Sequence, residues 1–170
     1  MKVLCIIDMQ NDFIDGALGT KEAQDIVPNV VKKLEEARKN GDRIIFTRDT
    51  HTEDYMNTQE GRNLPVIHCV KGTPGWEITP ELDTAGDMVI DKPTFGSVAL
   101  SEMIAAMQDV QSVELVGLCT DICVVSNALL LKAHFLDADI AVRRACCAGV
   151  TPATHEAALA TMGCCQIDIV

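Results

Sequence analysis

The segment Val3-Leu4-Cys5-Ile6-Ile7-Asp8 is a run of five apolar residues that ends in an acid. A continuous apolar run of this length is typical of a strand that is buried on both faces, as the strands of parallel sheets are. Further short apolar runs follow it along the chain, and segments with helical periodicity separate several of them. This alternation predicts a parallel sheet with helices on both of its faces.

The expected helices and strands follow from the spacing of the apolar residues and from the glycines and prolines at their ends. The clearest helix is Val27–Asn40, which has Pro28 near its start and Gly41 just past its end. The other expected helices are Ala99–Met107, Val124–Ala138 and Thr154–Met162, and the strands that follow Val3–Ile7 are Arg43–Thr47, Asp87–Asp91, Ser112–Gly117, Asp139–Val142 and Cys165–Val170. We therefore expect a three-layer α/β/α fold, doubly wound around a central parallel β-sheet, in a single domain over residues 1–170.

Charge and cysteine usage limit the class of protein. The chain has 170 residues and a formal net charge of -11. Nucleic acids and anionic membranes are bound by clustered Lys and Arg, so neither is an expected partner. The amino-terminal apolar run is too short for a signal peptide, and no apolar run is long enough to span a bilayer. We therefore expect a cytoplasmic protein whose 8 cysteines are reduced and mostly buried.

Residues with reactive side chains come where the expected strands end. Ligands bind doubly wound sheets outside the carboxyl ends of the strands, so these residues are expected to converge. Asp8 ends the first strand, Lys92 follows the third, and Cys123 follows the fourth at the start of a helix. Thr120 or Asp121 is expected to cap that helix, whose positive dipole end lowers the pKa of a nearby thiol. Position alone leaves Cys123 open to two interpretations, a nucleophile or one more buried thiol.

Three segments, in the order of the chain, resemble the cysteine hydrolase family of nicotinamidases and isochorismatases. They are Ile6-Ile7-Asp8-Met9-Gln10-Asn11-Asp12-Phe13, then Lys92 with Phe95-Gly96-Ser97, then Gly117 with Thr120-Asp121 and Cys123-Val124. The resemblance implies a catalytic triad of Asp8, Lys92 and Cys123, which hydrolyses an amide. It also implies an oxyanion hole formed by the backbone N–H groups of Cys119 and Cys123, with a cis peptide bond just before Cys119.

A second group of candidate residues lies in and beside a polar stretch from Thr50 to Asp83, which has no long periodic segment. Asp49 and His51 are two residues apart and therefore face the same way in an extended segment. From the residues alone, they are either ligands or polar loop residues. By resemblance to nicotinamidases, this pair and His68 bind a metal ion, and Glu60 is the candidate for a further ligand. Such a mixed set of nitrogen and oxygen donors favours zinc, with iron and manganese as alternatives, and leaves room for a pyridine nitrogen of the substrate.

Aromatic residues are candidates for the walls of a substrate pocket. The resemblance places Phe13 and Phe95 there, although ordinary core packing would also account for them. The single tryptophan, Trp76, is expected either to cover the pocket or to pack at a subunit contact. The expected substrate is a small amide, first of all nicotinamide, which would place the protein in NAD salvage. A carboxylate-bearing amide would need an arginine in the pocket, and Arg48 and Arg62 are the candidates.

Two other functions stay open at this point. One is a related hydrolase that acts on another small amide, of the N-carbamoyl, maleamate or ureidoacrylate type, or on isochorismate. The other is a non-enzymatic binding module, which is disfavoured because all three triad residues are present. A homo-oligomer is also expected, both by resemblance and because the expected helix Val124–Ala138 is apolar over much of its surface.

Overall fold

A six-stranded parallel sheet forms the centre of the computed structural model, which describes residues 1–84 and 86–170. The strands are β1 (Lys2–Ile7), β2 (Arg43–Asp49), β3 (Met88–Lys92), β4 (Ser112–Leu118), β5 (Asp139–Ala148) and β6 (Asp168–Ile169). Their order across the sheet is β3-β2-β1-β4-β5-β6, and each pair of neighbours is parallel. The expected doubly wound α/β fold is confirmed.

Helices connect these strands, and their ends follow local rules of sequence. They are α1 (Asn11–Ile14), α2 (Lys21–Asn40), α3 (Gln59–Asn63), α4 (Val98–Ala105), α5 (Val125–His134) and α6 (Pro152–Cys164), with a 3₁₀ helix at Tyr55–Asn57 and a π-helix at Thr120–Val124. The helix α2 begins earlier than expected because the Thr20 side chain accepts a hydrogen bond from the Ala23 N–H and caps it. It ends at Gly41, which has a left-handed φ of 76°.

The apolar core is divided by the sheet into two clusters. One face of the sheet packs against α2 through side chains that include Val30 and Leu34. The opposite face packs against α4, α5 and α6 through side chains that include Leu100, Leu131 and Leu159. Full burial of each such side chain contributes on the order of 1.5–3 kcal/mol, so both helical layers are held to the sheet mainly by apolar contact. These three layers are the expected α/β/α architecture.

The order of strands reverses between β1 and β4, and this reversal determines where the site lies. The chain runs outward from β1 through β2 to β3, and then crosses to the other side of β1 as β4. A crevice at the carboxyl ends of such a pair is the usual ligand site of doubly wound sheets. The two strands approach closely there, since a Cβ added to Gly117 (φ 119°) would lie 2.1 Å from the Ile7 carbonyl oxygen.

The strand β5 is longer than the sequence predicts. It was expected to end at Val142 but continues to Ala148 through an irregular segment. Leu115 pairs with Val142, whereas Gly117 pairs with Cys147, so several residues of β5 bulge out between the two pairs. The charged pair Arg143-Arg144 lies in this bulge and interrupts the apolar run, which is why the apolar pattern ended too early.

The expected helix Val124–Ala138 is also different in detail. The α-helix ends at His134, and the outer side of the segment carries Leu129 and Leu136, which are 37% and 87% exposed. The segment is therefore not buried all round within one chain. Among the described residues, no helix combines the length and the apolar character that a membrane crossing requires.

Candidate active site

A cavity of about 210 Å³ lies at the carboxyl ends of the central strands. Its polar lining comes from Asp49 at the end of β2, from Glu60 and His68, and from Cys119 and Cys123 after β4. Its remaining walls are formed mainly by apolar side chains, namely Phe13, Leu18, Leu64, Phe95, Ile122 and Val150. Ligand pockets commonly measure roughly 300–1,000 Å³, so this cavity suits a small ligand.

Lys92 joins the thiol to two carboxylates. It is the last residue of β3, where Asp49 of β2 is its partner in register. Its Nζ lies 2.6 Å from Asp8 Oδ2 and 3.3 Å from Asp49 Oδ1. The same Nζ lies 3.4 Å from Cys123 Sγ and donates to the carbonyl of Thr94 at 3.0 Å. The structure thus brings together Asp8, Lys92 and Cys123, which are far apart in the sequence.

Burial and neighbouring charges set the protonation of these groups. Burial alone would lower the pKa of Lys92, but the negative charges of Asp8 and Asp49 raise it, so the ammonium stays protonated. Burial raises the pKa of Asp8, and Asp49 adds to this, so together they outweigh the charge of Lys92. The Thr47 hydroxyl donates to Asp8 Oδ1 at 2.6 Å and fixes the carboxylate. A carboxyl group with a raised pKa is suited to accept and return a proton near neutral pH.

The Cys123 thiol differs from the sequence-based expectation. Burial raises its pKa well above the usual value, and the charge of Asp8 adds to this, although Lys92 opposes it. The side chain is only 4% exposed, and the residue lies in the π-helix rather than in the first turn of an α-helix. The expectation of a dipole-lowered pKa is therefore wrong for the resting site, and the thiol needs a base to remove its proton.

The expected helix cap before Cys123 is wrong as well. The residue at the cap position is Cys119, and its side chain makes no capping hydrogen bond. The Thr120 hydroxyl is instead hydrogen-bonded to His155 Nδ1 at 2.8 Å, and the Asp121 carboxylate accepts from the Val150 N–H at 3.2 Å. The peptide bond between Leu118 and Cys119 is cis, as the resemblance implied.

A cluster of four candidate metal ligands adjoins the triad. The ligand atoms of Asp49, His51, Glu60 and His68 all lie within 4.8 Å of one another. Asp49 Oδ2 is 3.0 Å from His51 Nε2 and 3.7 Å from His68 Nε2. Glu60 Oε1 is 3.5 Å and 3.9 Å from the same two nitrogens. Two imidazoles and two carboxylates at these distances fit a divalent ion such as zinc.

Backbone pairing of the long polar stretch builds this cluster. The His51 N–H donates to the Cys69 carbonyl, and the Lys71 N–H donates to the His51 carbonyl, both at 2.9 Å. This pairing brings His68 beside the end of β2. His68 Nδ1 is hydrogen-bonded to the Val66 carbonyl at 2.8 Å, which orients the ring so that Nε2 faces the cluster.

The carboxylate of Asp49 is ionised within this cluster. Burial alone would raise its pKa, but hydrogen bonds from His51 and His68 and the charge of Lys92 lower it below its usual range. Burial and the charge of Asp49 raise the pKa of Glu60. The cluster thus has the ionised carboxylate of Asp49 at its centre. The carboxyl group of Glu60, whose pKa is raised, lies at its edge.

The structure places two of the three aromatic candidates at the cavity. Phe13 and Phe95 line the cavity, and the Phe13 ring lies 5.6 Å from the His68 ring. Trp76 does not line it. The Trp76 indole N–H donates to the Thr50 hydroxyl at 2.9 Å, and the Arg48 guanidinium lies 3.6 Å over its ring.

Neither candidate arginine lines the cavity. Arg48 stacks on Trp76 and forms an ion pair with Asp91 at 2.8 Å. Arg62 donates to the carbonyl of Asn57 at 2.7 Å. The arginines that could bind a substrate carboxylate are therefore committed elsewhere, and the cavity walls are mostly apolar.

Sequence reasoning missed several residues at the site. Val150 follows the true end of β5, which the apolar pattern placed too early, and Leu64 lies in the polar stretch. Gln10 and Thr47 are fully buried polar residues next to the triad and the cluster. For Gln10 the signal was present, because it stands inside the segment that carries the resemblance.

Comparison with known proteins identifies the family of the chain. Residues 2–168 match the isochorismatase domain, and the chain belongs to the isochorismatase family. The nicotinamidase/pyrazinamidase of Mycobacterium tuberculosis is 28% identical over 186 residues, which cover 100% of this chain and 98% of the relative. A pyrazinamidase of Pyrococcus horikoshii, solved in complex with zinc, has a TM-score of 0.87 at 29% identity and covers 99% of this chain and 98% of its own.

A further relative bears on activity. A probable inactive nicotinamidase of Arabidopsis thaliana is 30% identical over 171 residues, which cover 94% of this chain and 86% of the relative. Among these relatives are hydrolases of small amides, and the protein is an isochorismatase-like hydrolase with nicotinamidase homologues.

Proposed function

We propose that the protein is a cysteine-dependent amidohydrolase that converts nicotinamide to nicotinic acid and ammonia. The observation that carries the proposal is the position of Lys92, whose Nζ contacts Asp8 and Cys123 on one side and Asp49 of the metal cluster on the other. A nucleophile, a proton acceptor and a cation thus adjoin a cluster that fits a metal ion at one small cavity.

The first half of the reaction forms a thioester. The Asp8 carboxylate accepts the proton of the Cys123 thiol, and the charge of Lys92 stabilises the thiolate. The thiolate sulfur attacks the amide carbonyl carbon, and the carbonyl oxygen becomes an oxyanion that backbone N–H groups of Cys119 and Cys123 bind. Asp8 returns its proton to the amide nitrogen as the carbon–nitrogen bond breaks, and ammonia leaves.

The second half of the reaction restores the enzyme. Asp8 accepts a proton from a water molecule, and the water oxygen attacks the thioester carbonyl. The carbon–sulfur bond breaks, the acid leaves, and the thiolate of Cys123 recovers its proton. The raised pKa of Asp8 suits both transfers, because the group must gain and lose a proton in each cycle.

The metal cluster supplies orientation in this proposal. Asp49, His51, Glu60 and His68 would hold a divalent ion, and a bound ion can accept a ring nitrogen of the substrate as a further ligand. Zinc is the ion we propose, since the donor set fits it and the Pyrococcus horikoshii pyrazinamidase contains it. Three of the four residues also line the cavity, so the ion would face the substrate.

The cavity supports a neutral aromatic amide over an acidic one. Its walls are mainly apolar, and Arg48 and Arg62, the candidates for binding a carboxylate, are engaged elsewhere. One relative is named a probable inactive nicotinamidase, but activity of this chain is supported by Cys123, whose Sγ lies 3.4 Å from Lys92 Nζ. We also propose that the protein acts in the cytoplasm and as a homo-oligomer, for which the exposed Leu136 offers an apolar contact.

The direct experiment follows nicotinic acid formation from nicotinamide by zinc-loaded protein. Cys123→Ala is the test variant, and Cys147→Ala, which removes a buried thiol of β5 that does not line the cavity, is the matched control. We expect turnover in the wild type and in the control, and none in Cys123→Ala. Full activity in Cys123→Ala would refute the nucleophile. Absence of turnover in wild-type protein that holds its zinc would refute nicotinamide as the substrate.

A further inference from the structure

A buried amide side chain fixes the half of the site that contains the metal cluster. Gln10 follows β1 and is 0% exposed. Its Nε2 donates to the carbonyls of Asp49 and Trp76, both at 2.8 Å, and its Oε1 accepts from the Asp49 N–H at 2.7 Å. Both backbone polar groups of Asp49 are therefore bound by one side chain. The backbone pairing of β1 with β2 ends at Phe46. The Gln10 side chain therefore makes the hydrogen bonds to the Asp49 backbone that a neighbouring strand would otherwise make.

A second buried amide fixes the half of the site that contains the Cys123 thiol in the same manner. Asn127 of α5 is 1% exposed. Its Oδ1 accepts from the Ser97 N–H at 2.8 Å, and its Nδ2 donates to the carbonyls of Cys123 at 2.8 Å and Phe95 at 3.1 Å. The loop that follows Lys92 is thus tied to the turn that carries the nucleophile.

We propose that Gln10 and Asn127 are positioning residues, each of which fixes one half of the site. Gln10 fixes the backbone of Asp49 and with it the metal cluster. Asn127 fixes the distance between the nucleophile turn and the loop after Lys92. The inference rests on the proposed function for the roles of Cys123 and the cluster, and it assigns roles to two side chains that take no part in the chemistry described above.

The chemistry of the amide group explains the choice of residue. Gln and Asn each offer one acceptor and two donors, and three of these capacities are used by backbone groups in each case. A carboxylate could not donate, and an apolar residue would leave buried N–H and C=O groups without partners. Partners behind metal ligands commonly change metal affinity by roughly 10–100-fold when they are removed.

The test uses two variants of similar size without hydrogen-bonding groups, Gln10→Met and Asn127→Leu. Each is compared with the wild type in two measurements that need no substrate. The first is the affinity of the metal-free protein for Zn²⁺, measured by competition with a chelating dye. The second is the rate at which iodoacetamide alkylates Cys123, followed by mass spectrometry of the peptide that contains it. Asn11→Ala is the control, because the half-buried amide of Asn11 donates to the Pro74 carbonyl rather than to either half of the site.

The two variants are expected to give opposite patterns. Gln10→Met should weaken Zn²⁺ binding by roughly 10–100-fold. Its effect on Cys123 alkylation should be smaller than that of Asn127→Leu, because only the shared contact of Lys92 with Asp49 and Cys123 connects the two halves. Asn127→Leu should speed alkylation by about fivefold or more, because loss of about 1 kcal/mol of hydrogen bonding lets the turn that buries Cys123 open more often. Its Zn²⁺ affinity should fall less than that of Gln10→Met.

Changes of equal size in both measurements for both variants would overturn the proposal, because a purely structural role does not select one half of the site. No change in either measurement would overturn it as well. If a variant does not fold, Gln10→Glu keeps the acceptor for the Asp49 N–H, and Asn127→Thr keeps a donor for the Cys123 carbonyl four residues earlier. Cys123 must then be alkylated more slowly in Asn127→Thr than in Asn127→Leu wherever both variants fold. None of these outcomes depends on turnover of nicotinamide.

Discussion

Lys92 Nζ lies 2.6 Å from Asp8 Oδ2, and both side chains are 0% exposed. The ammonium also lies 3.3 Å from Asp49 Oδ1, so one cation compensates two buried carboxylates. Burial disfavours the charged form of both carboxylates, and the charge of Lys92 opposes this at each of them. The ion pair therefore serves the fold as well as the proposed reaction.

Replacing Lys92 by Met should reduce both stability and activity. The change removes one partner of a buried ion pair, which commonly lowers the free energy of unfolding by about 3–5 kcal/mol. Urea unfolding measures this loss, and turnover of nicotinamide should also vanish. The matched control is Lys71→Met, since the Lys71 side chain is 65% exposed and should change stability by only about 0–1 kcal/mol. Equal stability of the two variants would contradict the importance of the buried pair.

The four-residue cluster should lose its metal when either histidine is removed. His51→Ala and His68→Ala each delete an imidazole from a set whose ligand atoms lie within 4.8 Å of one another. We expect elemental analysis of protein purified with zinc to find less than half of the wild-type metal per chain. His134→Ala removes an exposed histidine of α5 and should leave the metal content unchanged. Glu60→Gln should weaken binding less than either histidine variant, because Glu60 stands farther from both imidazoles than Asp49 does.

The fold could be predicted from sequence where the apolar pattern was continuous. Val3–Ile7 is an unbroken apolar run and was placed to within one residue. Ser112–Gly117, in which Glu114 is the single charged residue, was placed equally well. The end of β5 was missed because Arg143 and Arg144 lie in a bulge of the strand, which apolar periodicity cannot distinguish from a loop.

The candidate site was predictable only in part for a different reason. The triad and cluster residues stand in recognisable segments, and the structure brings them together. The protonation of Cys123 depends on complete burial, which no local pattern reveals, and so its pKa was expected to shift in the wrong direction. The placement of Trp76 depends on its contact with Arg48, a tertiary relationship between distant segments.

Alkylation of the resting protein should begin at the carboxyl end of α6 rather than at the active site. Cys164 and Cys165 are exposed, whereas Cys123 is 4% exposed and burial raises the pKa of its thiol well above the usual value. Iodoacetamide reacts with accessible thiolates, so mass spectrometry should detect the first adducts at Cys164 and Cys165. In a Cys164→Ser/Cys165→Ser variant, labelling of Cys123 should accelerate as pH is raised, because more of the thiol ionises. Labelling of Cys123 ahead of the two exposed thiols would contradict this order.

The buried thiol of Cys5 should make the protein less stable in alkali. Burial raises the pKa of Cys5, which is 0% exposed in β1, to about 12. A cysteine in the unfolded chain loses its proton near its ordinary pKa of about 8.5. The folded state therefore binds more protons between these values. The stability that this difference contributes is fully present below the lower pKa and falls as pH rises, by up to about 1.4 kcal/mol per pH unit for one thiol.

Cys5→Ala should lower the free energy of unfolding at neutral pH. Between about pH 9 and pH 11, however, its free energy of unfolding in urea should fall less steeply with pH than that of the wild type. Cys164→Ala, which removes an exposed thiol, should keep the wild-type slope. Parallel slopes for Cys5→Ala and the wild type would show that Cys5 does not stay protonated in the folded state.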